Sequence, residues 1–183
     1  MKIYTRRGDD GSTGLFHGGR VAKDESGPET YGTVDEATAA LGVARSLATG
    51  SMHDAILAVQ RELFVVGAEL ATSPDRRGLL EAGTSLVTAE MVVRLEAAID
   101  AIEAERGMPT EFIVPGGNPV AAALDVARTV TRRAERRAVT HARLSGITGS
   151  YVVPYLNRLA DYLYMLARSA EAAWVPSRLE EGR

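Results

Sequence analysis

The chain has 183 residues, enough for one well-buried core, and its apolar (45%) and charged (25%) fractions are those of an ordinary globular domain. A formal net charge of −3 gives no overall attraction to nucleic acid or to an anionic membrane, so any anion site has to be local. Cysteine is absent, which excludes a disulfide framework, a thiolate nucleophile and a thiolate metal site, and suits a cytoplasmic setting. No apolar stretch approaches the roughly 18 residues of a membrane-spanning helix, and the opening MKIYTRRGDDGSTG lacks the apolar region of a secretory signal.

Residues 1–30 have loop chemistry. Gly8, Gly11, Gly14, Gly18, Gly19 and Gly27 alternate with Thr5, Ser12, Thr13 and basic side chains, after a short extended start at Lys2 to Tyr4. Glycines let backbone N–H groups approach a ligand and hydroxyls add short donors, which is the composition of a phosphate cradle. Neither GxxxxGK[ST] nor GxGxxG is present, so a flexible tail is the competing reading. Lys23 could put a compact charge on a polyphosphate, or simply be solvated.

From Thr33 the pattern becomes helical. Thr33-Val-Asp-Glu36 reads as a capping box, and Val34, Ala37, Leu41 and Ala44 recur at helical spacing, predicting a first helix over 33–48. Ile56, Val59, Leu63, Val66 and Leu70 predict a second over 51–71. A connection of about fifteen residues follows, long enough to suggest a functional or mobile loop. Thr88 opens a third helix, which Gly107 ends, and Asn118-Pro119 opens a fourth running to about Arg143. After SGITGS, Pro154 fits the first turn of a fifth helix ending near Trp174, and residues 175–183 read as a polar, frayed tail. The fold class is all-α: an antiparallel bundle of five helices over 33–174, as one domain with the glycine-rich segment 1–30.

The fourth helix carries ARTVTRRAERRA, five arginines and one glutamate in twelve residues. Arg128, Arg132 and Arg136 share one side at i, i+4 and i+8, with Glu135 on its border; Arg133 and Arg137 form the adjacent stripe. This is either a solvated face or a set of cations whose partners lie elsewhere. The planar guanidinium suits carboxylates, for which Asp35 and Asp161 are candidates, and it suits phosphates equally. In the fifth helix, Asn157 lies off the stripe of Leu156, Leu159, Leu163 and Leu166, where asparagine is mildly unfavourable. Phe112, in FIVPGG, is either a core staple or a contact for a flat apolar ligand. His17, His53 and His141 have no metal-site spacing, and no residue stands out as a protein nucleophile or a metal ligand. The basic helix alone would also suit a binding module for RNA or protein, but aromatic interleaving is missing.

Six pieces in order, KIYTRRGDDGSTGL, GGRVAKD, YGTVDEATAALG, QRELFVVGAELA, FIVPGGNPVAAALDVARTVTRRAERR and YLNRLADYLYMLAR, resemble the trimeric class of ATP:cob(I)alamin adenosyltransferases and are spread between residues 2 and 168. The resemblance implies a five-helix bundle, a homotrimer, and a site for ATP and reduced cobalamin between subunits. It implies that Thr5, Arg6, Arg7, Gly8, Ser12 and Thr13 wrap ATP, with Lys23 on its phosphates. Arg132, Arg133, Glu135, Arg136 and Asn157 would complete that site from a neighbouring subunit. Arg128 would pair with Asp35 across the interface, and Phe112 would pack beside the corrin and exclude its lower axial ligand. Mg2+ would accompany ATP, an external flavoprotein-type reductant would supply electrons, and an adenosylcobalamin-dependent enzyme would be a downstream partner. An ATP-binding protein that delivers adenosylcobalamin without making it is the neighbouring alternative. Arg7 and Asp10 stand where that family usually carries threonine or lysine.

Overall fold

The computed structural model describes residues 3–178. Helices dominate: α1 (Ser26–Leu47), α2 (Gly50–Leu70), α3 (Ala89–Arg106), α4 (Pro119–Ser145) and α5 (Val152–Ala170), with a 3-10 helix at Pro74–Leu79. Two short strands, β1 (Ser12–Gly14) and β2 (Arg20–Ala22), pair antiparallel, with Ser12 opposite Ala22 and Gly14 opposite Arg20. The expected loop over 1–30 is therefore partly a hairpin; of its expected extended start over 2–4, Ile3 and Tyr4 lie in no strand and Lys2 falls outside the described residues. No helix among the described residues is long and apolar enough to cross a membrane.

The helices pack α2 on α1, α1 on α4, α4 on α5 and α5 on α3. Ion pairs fix the directions. Glu29 of α1 meets Arg137 of α4, and Glu36 meets Arg133, so these two helices run antiparallel. Leu41, Leu63, Leu124, Leu156, Leu159 and Leu163 are all at most 1% exposed. Burying each side chain contributes about 1.5–3 kcal/mol. Ala37 and Ala44 of α1 and Ala127, Ala134 and Ala138 of α4 are likewise buried, and their small size permits close helix approach.

Two boundaries differ clearly from the sequence-based expectations, each for a local reason. Helix α1 starts at Ser26, not Thr33, because Pro28 is tolerated in a first turn and buried Gly27 makes room for His141 of α4. A Cβ on Gly27 would lie 3.4 Å from the imidazole Cε1. Thr33 is accordingly no cap; its hydroxyl donates to the Glu29 carbonyl at 2.7 Å inside the helix. Helix α5 stops at Ala170, not Trp174, since Glu171 turns extended and the Trp174 indole N–H donates to the Arg168 carbonyl at 3.0 Å.

The connection from 72 to 88 is anchored. Buried Glu69 accepts from Arg77 (2.6 Å), from the Val87 N–H (2.7 Å) and from the Ser150 hydroxyl (2.6 Å), tying that connection to the approach to α5. Residues 175–177 are also paired rather than frayed: Ser177 N–H donates to the Phe112 carbonyl at 2.7 Å, and Val114 N–H to the Val175 carbonyl at 2.8 Å. The rest of the expected tail, 179–183, lies outside the described residues. The Asn118 cap behaves as its position predicts, accepting from the Ala121 N–H at 2.9 Å with Pro119 in the first turn.

Candidate functional site

The glycine-rich segment is held in shape by its own polar groups. Lys23 ammonium donates to the Gly8 carbonyl at 2.7 Å, and Lys23 N–H to the Gly11 carbonyl at 2.9 Å. Gly11 has φ +82, a conformation that costs glycine little. Arg6 has φ +59, which costs a side-chain-bearing residue about 1–2 kcal/mol. Backbone strain of that kind gathers at ligand clamps. Asp10 accepts from both the backbone N–H (2.9 Å) and the hydroxyl (2.7 Å) of Ser12. These bonds, with the Arg20 charge, hold the Asp10 carboxyl below its ordinary range. Arg20 donates to the Ser12 hydroxyl and, at 2.5 Å, to the Arg7 carbonyl. The hydroxyl of half-buried Tyr31, on α1, is pushed up by burial. Thr5, Arg6, Arg7, Gly8, Ser12, Thr13 and Lys23 thus lie in one cation-rich segment, with Gly8, Ser12 and Thr13 half-buried and the others exposed.

The arginines of α4 divide into two stripes by their partners. Arg133 and Arg137 pair with Glu36 and Glu29 of α1, so that stripe ties helices together. Among the described residues, neither Arg132 nor Arg136 has a carboxylate partner; Arg136 donates to the Arg132 carbonyl at 3.0 Å. Asn157 has its reason for standing in mid-helix: its amide donates to Glu135 at 2.9 Å, joining α5 to α4. Asp161, a candidate partner for the cluster, instead meets Arg158 at 3.4 Å.

Arg128 lies at the junction of two adjoining cavities of about 600 and 390 Å3. The first lies between Arg128, Tyr164 and the Phe112 segment; the second is bounded by Arg132, Arg158 and Asp161. Within the chain, Arg128 donates to Asp125 at 3.0 Å. Asp35 is exposed on α1, and no ion pair involves it among the described residues. Phe112 is 87% exposed, so it is not a core staple. No hydrogen bond or ion pair among the described residues joins the glycine-rich segment to Arg132, Arg136 or Asn157. The structure places these candidates in two separate groups.

Sequence reasoning missed Arg20, Asp125, Arg168 and Glu171. Arg168 is 1% exposed and donates to Asp125 at 2.5 Å, with Glu171 at 3.1 Å on its other side. The available signal was a charged residue placed against the apolar face of α5, paired with an acid at i+3.

Residues 3–170 match the family described as cobalamin adenosyltransferase. A corrinoid adenosyltransferase of Bacillus subtilis is 41% identical over 177 residues, covering 94% of this chain and 88% of the relative. One from Citrobacter freundii is 42% identical over 171 residues, covering 93% and 95%. Among solved structures, a variant of the PduO-type ATP:corrinoid adenosyltransferase from Lactobacillus reuteri, complexed with cobalamin and ATP, superposes with a TM-score of 0.87 at 32% identity. That match covers 97% of this chain and all of the other. A second variant of that enzyme, complexed with ATP, gives 0.85 at 32% identity, with 96% and 100% covered. With the family matched across nearly the whole bundle and close relatives aligned end to end, this chain belongs to the cobalamin adenosyltransferase family.

Proposed function

We propose that this chain transfers the 5′-deoxyadenosyl group of ATP to the cobalt of a reduced corrinoid, forming adenosylcobalamin and releasing triphosphate. Within this family, the observation that carries the reading is the pair Arg132 and Arg136, two guanidiniums without carboxylate partners among the described residues. Arg132 borders the 390 Å3 cavity and Arg136 stands one turn further along the same exposed face, and guanidiniums without carboxylate partners suit phosphate oxygens.

The chemistry asks little of the protein beyond placement and charge. The electron pair of cobalt(I) attacks C5′ of the ribose; the Co–C bond forms as the C5′–O5′ bond breaks, and that bonding pair leaves on triphosphate. Cobalt is formally oxidised from the +1 to the +3 state, and the carbon is the acceptor. No serine, cysteine or general base is needed. What remains is to hold C5′ against the metal and to stabilise the charge gathering on the leaving oxygen.

In this reading the segment around Thr5, Arg6, Arg7, Gly8, Ser12 and Thr13 wraps ATP, with Lys23 on its phosphates. Arg132, Arg133, Glu135, Arg136 and Asn157 complete the site from a neighbouring subunit. The same reading includes a homotrimer with sites between subunits, in which the two groups, joined within one chain by no hydrogen bond or ion pair among the described residues, would meet across an interface. Arg128, already on Asp125, has further guanidinium donors for Asp35 of a neighbour. Phe112 forms a wall against the lower face of the corrin, keeping the lower axial ligand off cobalt(II) and easing its one-electron reduction. An external flavoprotein-type donor supplies that electron, and the setting is cytoplasmic. Magnesium favours phosphate oxygens and water, so it fits as a passenger on ATP; no group of three or more His, Cys, Asp or Glu that could hold a metal occurs among the described residues.

The test is an anaerobic assay with ATP, magnesium and chemically reduced cobalamin, following the visible spectrum and triphosphate together. Conversion with one triphosphate per adenosylcobalamin, continuing past one equivalent per site, is expected. A folded protein that binds ATP without conversion overturns the assignment.

A further inference from the structure

An aromatic ring 87% exposed on the long connection between α3 and α4 can serve as a wall only if its backbone is fixed. That connection is fastened at both ends to one buried residue. Glu171, 2% exposed, accepts the Gly117 N–H at 3.0 Å through Oε1, and its backbone carbonyl accepts from Arg106 at 2.6 Å. The chain leaving Glu171 then pairs with the middle of the connection, through the Ser177 to Phe112 and Val114 to Val175 hydrogen bonds.

The same carboxylate reaches Arg168, with Nε 3.1 Å from Oε2. Arg168 donates to Asp125 at 2.5 Å, and the other oxygen of Asp125 takes Arg128 Nε at 3.0 Å. A continuous line of charged contacts, Gly117 to Glu171 to Arg168 to Asp125 to Arg128, therefore joins the two sides of the 600 Å3 cavity. Buried charges left unpaired are costly, which makes such a line stiff. The approach is also tight: a Cβ built on Gly117 would stand 2.7 Å from Glu171 Oε1.

We propose that Glu171 is a positioning residue for the corrinoid wall, setting where Phe112 stands relative to Arg128 through Gly117 on one side and Arg168 on the other. This rests on the reading of Phe112 as the wall that excludes the lower axial ligand. Glu171 need not touch the corrinoid. Loss of its hold lets the wall drift, and the step that suffers is the one requiring the axial ligand to be absent, reduction of cobalt(II).

The experiment compares adenosylation from cobalt(II) corrinoid plus reductant with adenosylation from prereduced cobalt(I), in the full-length assembled protein. Variants are Phe112→Ala, Glu171→Ala, Glu171→Gln and Gly117→Ala. Paramagnetic resonance of the ATP-loaded protein reports four-coordinate cobalt(II) independently of turnover. Glu171→Ala strips a buried charge and risks the fold; Gly117→Ala crowds the carboxylate without removing it and is the second route to the same question. Both are expected to lower the cobalt(II)-to-cobalt(I) rate ratio by roughly ten- to a hundredfold, the loss produced by misplacing a positioned group by about 1 Å, and to weaken the four-coordinate signal. Glu171→Gln, which still accepts from Gly117, is expected to recover most of both. Equal losses on the two routes, or none, from Glu171→Ala and Gly117→Ala while Phe112→Ala lowers the ratio overturn the positioning role alone. A wild-type ratio and signal in Phe112→Ala overturn the wall and the positioning role with it.

Discussion

Asn157 on α5 donates to Glu135 on α4 over 2.9 Å, and its own carbonyl oxygen receives Arg158 at 3.3 Å. An asparagine in mid-helix is thereby engaged on both ends of its amide. Asn157→Ala is expected to cost about 1 kcal/mol, the typical net worth of one hydrogen bond, and to lower Tm by about 2–4 °C for a chain of this size. If Asn157 also orients the nucleotide, KM for ATP rises roughly tenfold, about 1.4 kcal/mol of binding. A Tm drop with unchanged KM would reduce Asn157 to a tether between two helices.

The two arginine stripes separate stability from catalysis. Arg132→Ala and Arg136→Ala remove side chains with no carboxylate partner among the described residues, so stability should stay within about 0.5 kcal/mol. Their kcat/KM for ATP should fall by roughly a hundredfold or more, as when a charge-stabilising donor is lost. Arg133→Ala breaks an exposed pair with Glu36, of the kind worth about 0–1 kcal/mol, and its kinetic loss should be the smallest of the three. Wild-type kinetics in either Arg132→Ala or Arg136→Ala would refute the nucleotide assignment.

How far the sequence could be read depends on what kind of force held each element. Helix identity was legible because Leu156, Leu159, Leu163 and Leu166 repeat at the helical period and all enter the core. The caps at Asn118 and Gly107 were legible because they act over three or four residues. The start of α1 was not, since Gly27 and Pro28 look like breakers until His141, far along the chain, is packed over them. The imbalance of the arginine cluster could be counted, but its division into two stripes depended on Glu29 and Glu36 facing α4 from another helix. The line from Glu171 to Arg128 was invisible for the same reason: each link is a contact between segments, and only the i+3 spacings inside it leave a trace.

Asp35 is exposed and unpaired in ion pairs among the described residues, so its role must be read from assembly. Asp35→Asn conserves shape and removes the charge; the fold within each chain should keep its stability to within about 0.5 kcal/mol. Sedimentation is expected to show a weakened oligomer, or else KM for the corrinoid rises. A fully intact trimer with an unchanged corrinoid KM would reject the proposed contact with Arg128 of a neighbour.

His141 gives the fold a pH dependence. Its ring nitrogen Nδ1 lies 2.9 Å from the Ser26 hydroxyl, and burial pushes its pKa below 6.5. Glu69 and Arg77 line the cavity on one side but are paired to each other, so they offer the imidazolium little compensation. Between the lowered folded value and 6.5, the unfolded chain holds more protons at this residue than the folded one. Stability contributed here is therefore fully present above about 6.5 and lost as pH falls through that window. Denaturant midpoints should drop as pH is taken from about 7.5 to about 5.5, a range above the ordinary titration of carboxylates. His141→Gln, which cannot titrate, should flatten most of that drop. A variant with the wild-type slope would move the dependence away from the α1–α4 contact.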